Sequence, residues 1–574
     1  MAALLVLIAI GLAAWRFCPR PQPFASITVS QITNVGTIEK VALSADGKFL
    51  AEVKNDQGQR TLWLKNTATN TDNQILSAYG GSYVGLTFSA DGNYLYFTRG
   101  TPENEGVHAL YMMSVFGGTP RQLITDIDSA PSFAPDGRRF TFVRYTPDRS
   151  DQFSEVHIAD KDGNNDQVFY RSKEELGWPV WSPDGGRIAW LQQPAPGAPK
   201  VVLGWIDLSS RKLNTVAAPA DVTPNLQEGL IDLAWLPDNR HLLVLYLKPH
   251  TDRAQIGILT IPSGEFYPLT NDVNSYSELA LSADGRTLAT VLTNVDSSLA
   301  FYRGEGGAPV STMPLRITPW TIAWADEDHL LFIVRDISLG SLDRATGNLR
   351  TFDLGDVDIG SALTACRDGH ILFTGFPKGG GEARIFRMNA DGGNLTQITT
   401  TGIARRPVCS ADSQEVRYGD HSGTEDSVWS IPIAGGTPKE LLPPQSISGS
   451  IAISGDGKLA GRVVISQLKY RAEVVDLASK RVIFQGSMDT SDVIESFLSF
   501  SPDSRALVYP VRRDGGITLL SQPIDGTPPH TLIDPGAPIN YYAWSPSGKQ
   551  LAVARVKSSS DVVLITDQGG KNAP

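Results

Sequence analysis

Cysteine is scarce in this chain, which has only Cys18, Cys366 and Cys409 among 574 residues. Three cysteines cannot form the disulfide framework that stabilises small secreted domains. Basic charge is also in deficit, because 50 Lys and Arg stand against 61 Asp and Glu, for a net charge of -11. A nucleic-acid partner requires clustered Lys and Arg, so we expect no binding to nucleic acid.

Catalytic and metal-binding motifs are missing as well. The G-x-S-x-G pentapeptide of serine hydrolases does not occur, and VRDIS at 334–338 lacks the His and Asn of a kinase catalytic loop. The eight histidines do not form a ligand set, and the Asp-rich stretch at 160–166 fits a hairpin turn better than a calcium loop. We therefore predict a protein that is not an enzyme and has no metal or cofactor. A funnel-located enzyme acting on glycan or peptide is the alternative class.

A long apolar run occurs at the N-terminus, where Met1 to Trp15 reads MAALLVLIAIGLAAW. Its length is shorter than the roughly 20 residues of a full membrane span, and no positive charge precedes it as in a signal peptide. We interpret residues 1–23 as a membrane-directed segment with a linker. Three alternatives stay open: a retained anchor or truncated span, a cleaved signal, and a buried core segment.

The rest of the chain repeats one pattern, an apolar strand followed by Ser-Pro-Asp-Gly or a variant and then an alternating strand. Successive copies are 42 to 54 residues apart, the period of a four-stranded propeller blade. Proline presets φ, the Asp carboxylate accepts local N–H bonds, and glycine accepts positive φ, so each copy predicts a hairpin. The turn positions are Asp46, Asp91, Asp136, Asp184, Asp238, Asp284, Asp326, Asp368, Asp412, Asp456, Asp503 and Ser547.

A large apolar residue usually stands three positions before the turn aspartate, as at Phe88, Trp181 and Trp235. This column is expected where successive blades pack face to face. Cys409 falls in the same column, and we interpret it as a small buried hydrophobe rather than a reactive thiol.

These repeats resemble the TolB-like propeller blade, a relative of the WD-repeat blade, over nearly all of residues 24–570. The resemblance implies an all-β protein of about twelve four-stranded blades. Because propellers typically have four to eight blades, we expect two tandem six-bladed rings, at 24–308 and 309–574; seven plus five is the other split. The strand TVSQITN at 28–34 would be borrowed by the sixth blade of the first ring, and VSTMPLRIT at 310–318 would open the second.

The resemblance implies an extracytoplasmic, periplasmic location, either membrane-anchored or secreted. We expect a ligand-sensing or protein-interaction module, with a periplasmic TolB-like scaffold as an alternative. The opening stretch also resembles the extracytoplasmic half of bacterial membrane Ser/Thr kinases or winged-helix regulators, so a cytoplasmic domain of a longer parent chain is a possible partner.

The ligand is expected to be a protein, peptide or glycan. Loops held by a rigid scaffold concentrate binding residues, and the inter-blade loops carry the candidates. These are Tyr79, Tyr83, Asp126, Asp128, Glu174, Glu175, Trp178, Glu228, Asp356, Asp358, Arg405, Arg406 and Tyr541.

The turn chemistry gives a first testable prediction. Asp91→Ala should lower the free energy of unfolding by about 1 kcal/mol, because local hydrogen bonds are lost. Gly92→Val should lower it further, since a β-branched residue resists positive φ. Denaturant unfolding of both variants measures the two effects, and equal stabilities would mean that the turn geometry is misassigned.

Overall fold

The computed structural model describes residues 22–101, 104–145, 153–193, 202–217, 232–247, 253–334, 338–378, 381–422, 425–445, 447–466, 469–488, 498–513, 516–533 and 539–569. Within these ranges the regular structure consists of 47 strands joined by turns, and every strand pairing is antiparallel. The described residues contain no helix with the length and apolar character that a membrane span requires. The apolar run Met1–Trp15 lies outside the described residues.

The first half of the chain forms five sheets, each from one repeat, in which consecutive strands pair. The first comprises β2 (Ile38–Leu43), β3 (Phe49–Asp56), β4 (Gln59–Asn66) and β5 (Asp72–Tyr79). The second comprises β6 (Tyr83–Phe88), β7 (Tyr94–Thr101), β8 (Asn104–Ser114) and β9 (Arg121–Thr125). The third comprises β10 (Ser132–Phe133), β11 (Arg139–Tyr145), β12 (Ser154–Asp160) and β13 (Gln167–Ser172). The fourth comprises β14 (Glu175–Leu176), β15 (Val180–Trp181), β16 (Arg187–Gln193), β17 (Val202–Asp207) and β18 (Leu213–Ala217), with β14 and β15 both paired to β16. The fifth comprises β19 (Leu233–Trp235), β20 (His241–Leu247), β21 (Ala254–Thr260) and β22 (Phe266–Pro268).

The second half forms five further four-stranded sheets of the same kind. The first comprises β26 (Thr321–Trp324), β27 (His329–Val334), β28 (Ser338–Asp343) and β29 (Leu349–Thr351). The second comprises β30 (Val357–Ala365), β31 (His370–Pro377), β32 (Arg384–Asn389) and β33 (Thr396–Gln397). The third comprises β34 (Ala404–Cys409), β35 (Glu415–Ser422), β36 (Glu425–Pro432) and β37 (Lys439–Gln445). The fourth comprises β38 (Ile447–Ile453), β39 (Leu459–Ser466), β40 (Lys469–Asp476) and β41 (Val482–Met488). The last comprises β42 (Ser499–Phe500), β43 (Ala506–Arg513), β44 (Gly516–Pro523) and β45 (His530–Ile533).

A six-stranded sheet connects the two halves, and its two central strands have 17 and 18 residues. They pair without a break from Thr287 opposite Thr566 to Arg303 opposite Gln550. Strands in globular proteins usually have 3–10 residues, so these two are each long enough to serve two blades. The sheet comprises β1 (Ile27–Gln31), β23 (Ser275–Leu281), β24 (Thr287–Arg303), β25 (Gly306–Leu315), β46 (Ile539–Trp544) and β47 (Gln550–Asp567).

Each half of this sheet has the four-strand order of one blade. At one end the order is β23, β24, β47 and β1; at the other it is β46, β47, β24 and β25. The N-terminal strand therefore closes the sixth blade, as expected, but its neighbour is the C-terminal part of β47 and not the third strand of the sixth repeat. The third strands of the sixth and twelfth repeats have exchanged places.

Two cavities run along the first strands of the repeats. One, of about 610 Å³, is lined by β2, β6, β10, β15, β19 and β23. The other, of about 690 Å³, is lined by β26, β30, β34, β38, β42 and β46. On this topology we propose two six-bladed rings, here called ring one and ring two, whose sixth blades are the two ends of the shared sheet. The predicted boundary at Pro309 falls inside β25, and the limits 24–308 and 309–574 stay a prediction.

The apolar column lies between neighbouring blades, as the sequence predicted. Its members Leu43, Phe88, Trp181, Trp235 and Phe500 are at most 8% exposed. Burying a side chain of this kind contributes roughly 1.5–3 kcal/mol. The column therefore holds adjacent blades together along each ring.

The Ser-x-Asp-Gly turn forms the expected hydrogen bonds. The Ser89 hydroxyl donates to Asp91 Oδ1 at 2.6 Å, which also accepts the N–H of Asn93 at 3.1 Å. These bonds hold the pKa of Asp91 below its ordinary value. Gly92 has a φ of 71°, in the left-handed region. The same Ser-to-Asp bond recurs at Ser44, Ser182, Ser282, Ser410, Ser454 and Ser501.

A disulfide joins Cys366 to Cys409, with 5.5 Å between their Cα atoms. Cys366 follows β30 and Cys409 ends β34, so the bond links the turns of adjacent blades in ring two. The placement of Cys409 in the inter-blade column was right, but its interpretation as an unbonded buried hydrophobe was wrong. The separation of 43 residues is about one repeat. The two cysteines therefore lie on neighbouring blades, each at the end of the first strand of its blade.

The exchanged strands give a second prediction. Truncation after Lys557 removes the C-terminal part of β47, which is the partner of both β1 and the first half of β24. Hydrogen exchange followed by mass spectrometry should show loss of protection at Ile27–Gln31 and Thr287–Thr293 in ring one, although the deletion lies at the far end of the chain.

Truncation after Gln568 is the matched control, because it leaves β47 complete, and protection should then be unchanged. If truncation after Lys557 exposed amides in ring two alone, the exchanged topology would be contradicted.

Candidate functional site: the two channel mouths

A second column of residues stands six positions before each turn aspartate, where the inner strand reaches the channel mouth opposite the hairpin turns. Charged and aromatic residues are frequent in this column, in contrast to the apolar column three positions later. In ring one its members are Lys40, Gly85, Ala130, Trp178, Asp232 and Glu278. In ring two the members whose side chains are described are Trp320, Ala362, Arg406 and Tyr541. All of these except Lys40 line one of the two cavities.

β-Bulges accompany this column. The register shifts between Ser277 and Ala280 in β23 and between Arg405 and Val408 in β34, and bulges are known to re-aim side chains. Glu278 and Arg406 consequently have φ values of 63° and 58°. The left-handed region costs a non-glycine residue roughly 1–2 kcal/mol. The surrounding strands therefore maintain Glu278 and Arg406 in a backbone conformation that these residues do not prefer.

The mouth of ring one contains a linked group of charges. Lys40 Nζ lies 2.7 Å from Glu278 Oε1 and 5.6 Å from the centre of the Trp178 ring. Asp232 Oδ2 accepts the backbone N–H of Leu279 at 2.5 Å. The side chains of Lys40 and Glu278 are only 20% and 11% exposed. This group connects the first, fifth and sixth blades and leaves two carboxyl groups beside one lysine.

Burial governs the proton affinity of these groups. Burial and the nearby charge of Glu278 raise the pKa of Asp232 to about 7, and burial raises the pKa of Glu278. Burial alone would lower the pKa of Lys40, but the charge and hydrogen bond of Glu278 raise it above its ordinary value. Lys40 is therefore a cation near neutral pH, while Asp232 titrates within the physiological range.

The mouth of ring two has the opposite polarity. Arg406 Nη1 is buried and has no hydrogen-bond partner in the part of the chain that the structure describes. The backbone N–H of Arg406 donates to Thr374 Oγ1 at 3.1 Å. Burial lowers the pKa of Arg406, yet a guanidinium remains protonated in proteins. Tyr541 and Trp320 lie on the same channel wall.

Three of the residues proposed from the sequence, Trp178, Arg406 and Tyr541, line the channels. Tyr83 is 3% exposed, and its ring packs on Phe97 in the core between the first two blades, so it is not presented on a loop. Tyr79 packs beside it, with ring centres 6.3 Å apart.

The other predicted residues are spread over several loops. Asp128 accepts the N–H of Tyr145 at 2.8 Å, and Glu174 accepts a hydrogen bond from Gln192, so both carboxylates are engaged locally. Glu228 lies outside the described residues. Exposed positions are Asp126, Glu175, Asp356, Asp358 and Arg405.

Sequence reasoning missed Lys40, Asp232 and Glu278. Lys40 and Glu278 belong to inner strands and Asp232 stands immediately before one, whereas the sequence candidates were placed on the inter-blade loops. The repeat alignment contained the signal, because all three stand six residues before a turn aspartate.

Comparison with known proteins shows limited sequence similarity. No family model matches the chain. The Tol-Pal system protein TolB of Bordetella pertussis is 30% identical over 240 residues, covering 37% of this chain and 51% of the relative. That of Bordetella parapertussis is 28% identical with the same coverage. The chain thus spans about half the length of the curated relatives it matches.

Similar solved structures are also distant. A TolB from Agrobacterium tumefaciens is 18% identical with a TM-score of 0.39, covering 46% of this chain and 99% of that one. An oligogalacturonate lyase from Vibrio parahaemolyticus is 13% identical with a TM-score of 0.32, covering 64% and 94%. At these values the structures do not inform the function.

The titration of Asp232 gives a third prediction. Its folded-state pKa of about 7 lies above the ordinary 3.8, so between these values the folded state binds more protons than the unfolded chain. The contribution of Asp232 to the free energy of unfolding therefore falls as pH rises through that window. Asp232→Asn removes this loss of stability. The melting temperature of the variant minus that of wild type should therefore increase from pH 5 to pH 8.

Asp91→Asn is the control, because the pKa of Asp91 is lowered and its effect should be constant over the same pH range. A constant difference for Asp232→Asn as well would contradict the assignment.

Proposed function

Because the chain is a TolB-like β-propeller protein, we propose that it is a non-catalytic, extracytoplasmic scaffold that binds a second protein at the mouth of the ring-one channel. The observation that carries the proposal is the convergence of Trp178, Asp232 and Glu278 from three consecutive blades on one rim. Aromatic residues are enriched in protein interfaces, and the two carboxyl groups fix the shape of the rim beside Trp178 through their bonds to neighbouring blades.

The relatives favour a scaffold over a ligand sensor. The two Bordetella proteins are each named Tol-Pal system protein TolB, a name that includes neither a sensor nor an enzymatic activity. A sensor half of a split receptor needs a cytoplasmic domain, and that expectation rests on the opening sequence alone.

The geometry at the ring-one mouth also favours binding over catalysis. A pair of carboxyl groups with raised pKa values is what general acid–base chemistry uses. Here, however, Glu278 is bound by Lys40 at 2.7 Å and Asp232 by the Leu279 N–H. Both groups thus hold neighbouring blades together, and a role in shaping the rim accounts for them.

The disulfide supports the extracytoplasmic location. Disulfide bonds persist in oxidising compartments and are rare in the cytosol, and Cys366–Cys409 bridges two blades of ring two. Attachment to a membrane through Met1–Trp15 remains a prediction.

The fourth prediction tests the binding rim. The full chain, tagged at its C-terminus, is used to capture partners from a cell-envelope extract, and captured proteins are identified by mass spectrometry. Trp178→Ala should abolish capture of the specific partner, because it removes the aromatic group of the rim. Thermal unfolding of the variant checks that the ring remains folded.

Arg138→Ala is the matched control, since Arg138 is exposed beside the turn at Asp136 on the opposite face, and it should capture as wild type does. Capture lost only in the control, or turnover of a glycan or peptide panel by the wild-type chain, would overturn the proposal.

A further inference from the structure

The ring-two channel has the size and lining of a small-ligand site. Its volume is about 690 Å³, within the range of about 300–1,000 Å³ found for ligand pockets. Val408, Ile451 and Tyr542 contribute apolar wall, and Arg406 and Tyr541 stand at the mouth. Apolar walls with a few polar groups at fixed positions are the usual composition of such sites.

Arg406 is the cation of this site. Its Nη1 is buried without a hydrogen-bond partner among the described residues. Asp426 is the carboxylate whose charge acts on it, but Asp426 Oδ1 is already 2.8 Å from His421 Nδ1. A buried hydrogen-bond donor without a partner is unfavourable, so an anion at Nη1 would stabilise the site.

The backbone fixes the position of this cation. Arg406 has a φ of 58° and precedes Pro407, a combination that the local sequence disfavours. The bulge in β34 and the hydrogen bond to Thr374 maintain it. Strained residues of this kind tend to occur at ligand-binding positions.

A second unused donor lines the same channel. Trp544 Nε1 is buried and lacks a hydrogen-bond partner within the described ranges. The channel as a whole thus offers one guanidinium at its mouth, one indole N–H further along, and aromatic or aliphatic wall.

We propose that the ring-two channel binds a carboxylate-bearing ligand with an apolar or aromatic body, the carboxylate pairing with Arg406. A planar carboxylate matches the guanidinium fork. The net charge of -11 disfavours more highly charged anions such as phosphate. The carboxylate comes either from a peptide C-terminus or from a free small acid, and the site is independent of the partner proposed for ring one.

The fifth prediction is a binding measurement by isothermal titration calorimetry on the full chain. N-acetyl-phenylalanine represents a peptide C-terminus and benzoate a free acid; N-acetyl-phenylalaninamide and benzamide are their uncharged counterparts. At least one acid should bind, and its amide should bind about tenfold or more weakly, since a hydrogen bond to a charged group contributes about 1.5–3 kcal/mol. The acid that binds more tightly identifies the source of the carboxylate.

Arg406→Gln should weaken binding of the acid at least tenfold, while Arg405→Gln, at the exposed neighbouring position, should bind as wild type does. Thermal unfolding of Arg406→Gln should match or exceed that of wild type, because the substitution removes a buried Nη1 donor that has no hydrogen-bond partner among the described residues. Equal binding of acid and amide, equal binding by Arg406→Gln, or no binding of either acid would overturn the proposal.

Discussion

The antiparallel pairing of β24 with β47 holds both rings closed. The pairing runs from Thr287 opposite Thr566 to Arg303 opposite Gln550, and at about 3.3 Å per residue it extends over roughly 55 Å. Each strand contributes its first part to the ring of its own repeat and its second part to the other ring. Each end of the sheet thereby has the four strands of a complete blade, one of them supplied by the other half of the chain. The two channels therefore depend on one continuous ribbon.

The bulges give each channel its chemistry without disturbing this framework. The blades pack through an apolar column, and three residues away a second column lies at the rim. The bulges at Ser277–Ala280 and Arg405–Val408 interrupt the strand pairing only locally, and residues as different as Glu278 and Arg406 occupy equivalent positions six residues before a turn aspartate. Ring one thus presents carboxyl groups with a lysine, and ring two presents a guanidinium on a channel that Trp320 and Tyr541 also line.

The sequence predicted the features that depend on local chemistry. The hairpin at Asp91 and Gly92 follows from the conformational preferences of those residues, and the burial of Trp181 and Trp235 follows from their place in the repeat. The exchange of strands could not be predicted in this way. Between the second and third strands, the sixth repeat has TNVDSS at 293–298, without Gly or Pro. Ser466 pairs with Lys469 across a two-residue connection that also contains neither Gly nor Pro. Whether the chain turns back or continues as one long strand therefore depends on a partner strand some 250 residues away.

The pairing of residue 27 with residue 567 also has a consequence for the order in which the protein assembles. A ribosome or export channel delivers the chain from its N-terminus, so the five blades of residues 38–268 emerge long before the strand that completes their ring. Until Ser558–Asp567 arrives, the first half of β24 and all of β1 lack this partner. Non-local contacts of this kind form slowly and leave strand edges exposed. Ring two can close once Gln550–Lys557 has paired with β24, whereas ring one, whose blades emerge first, closes only when Ser558–Asp567 arrives.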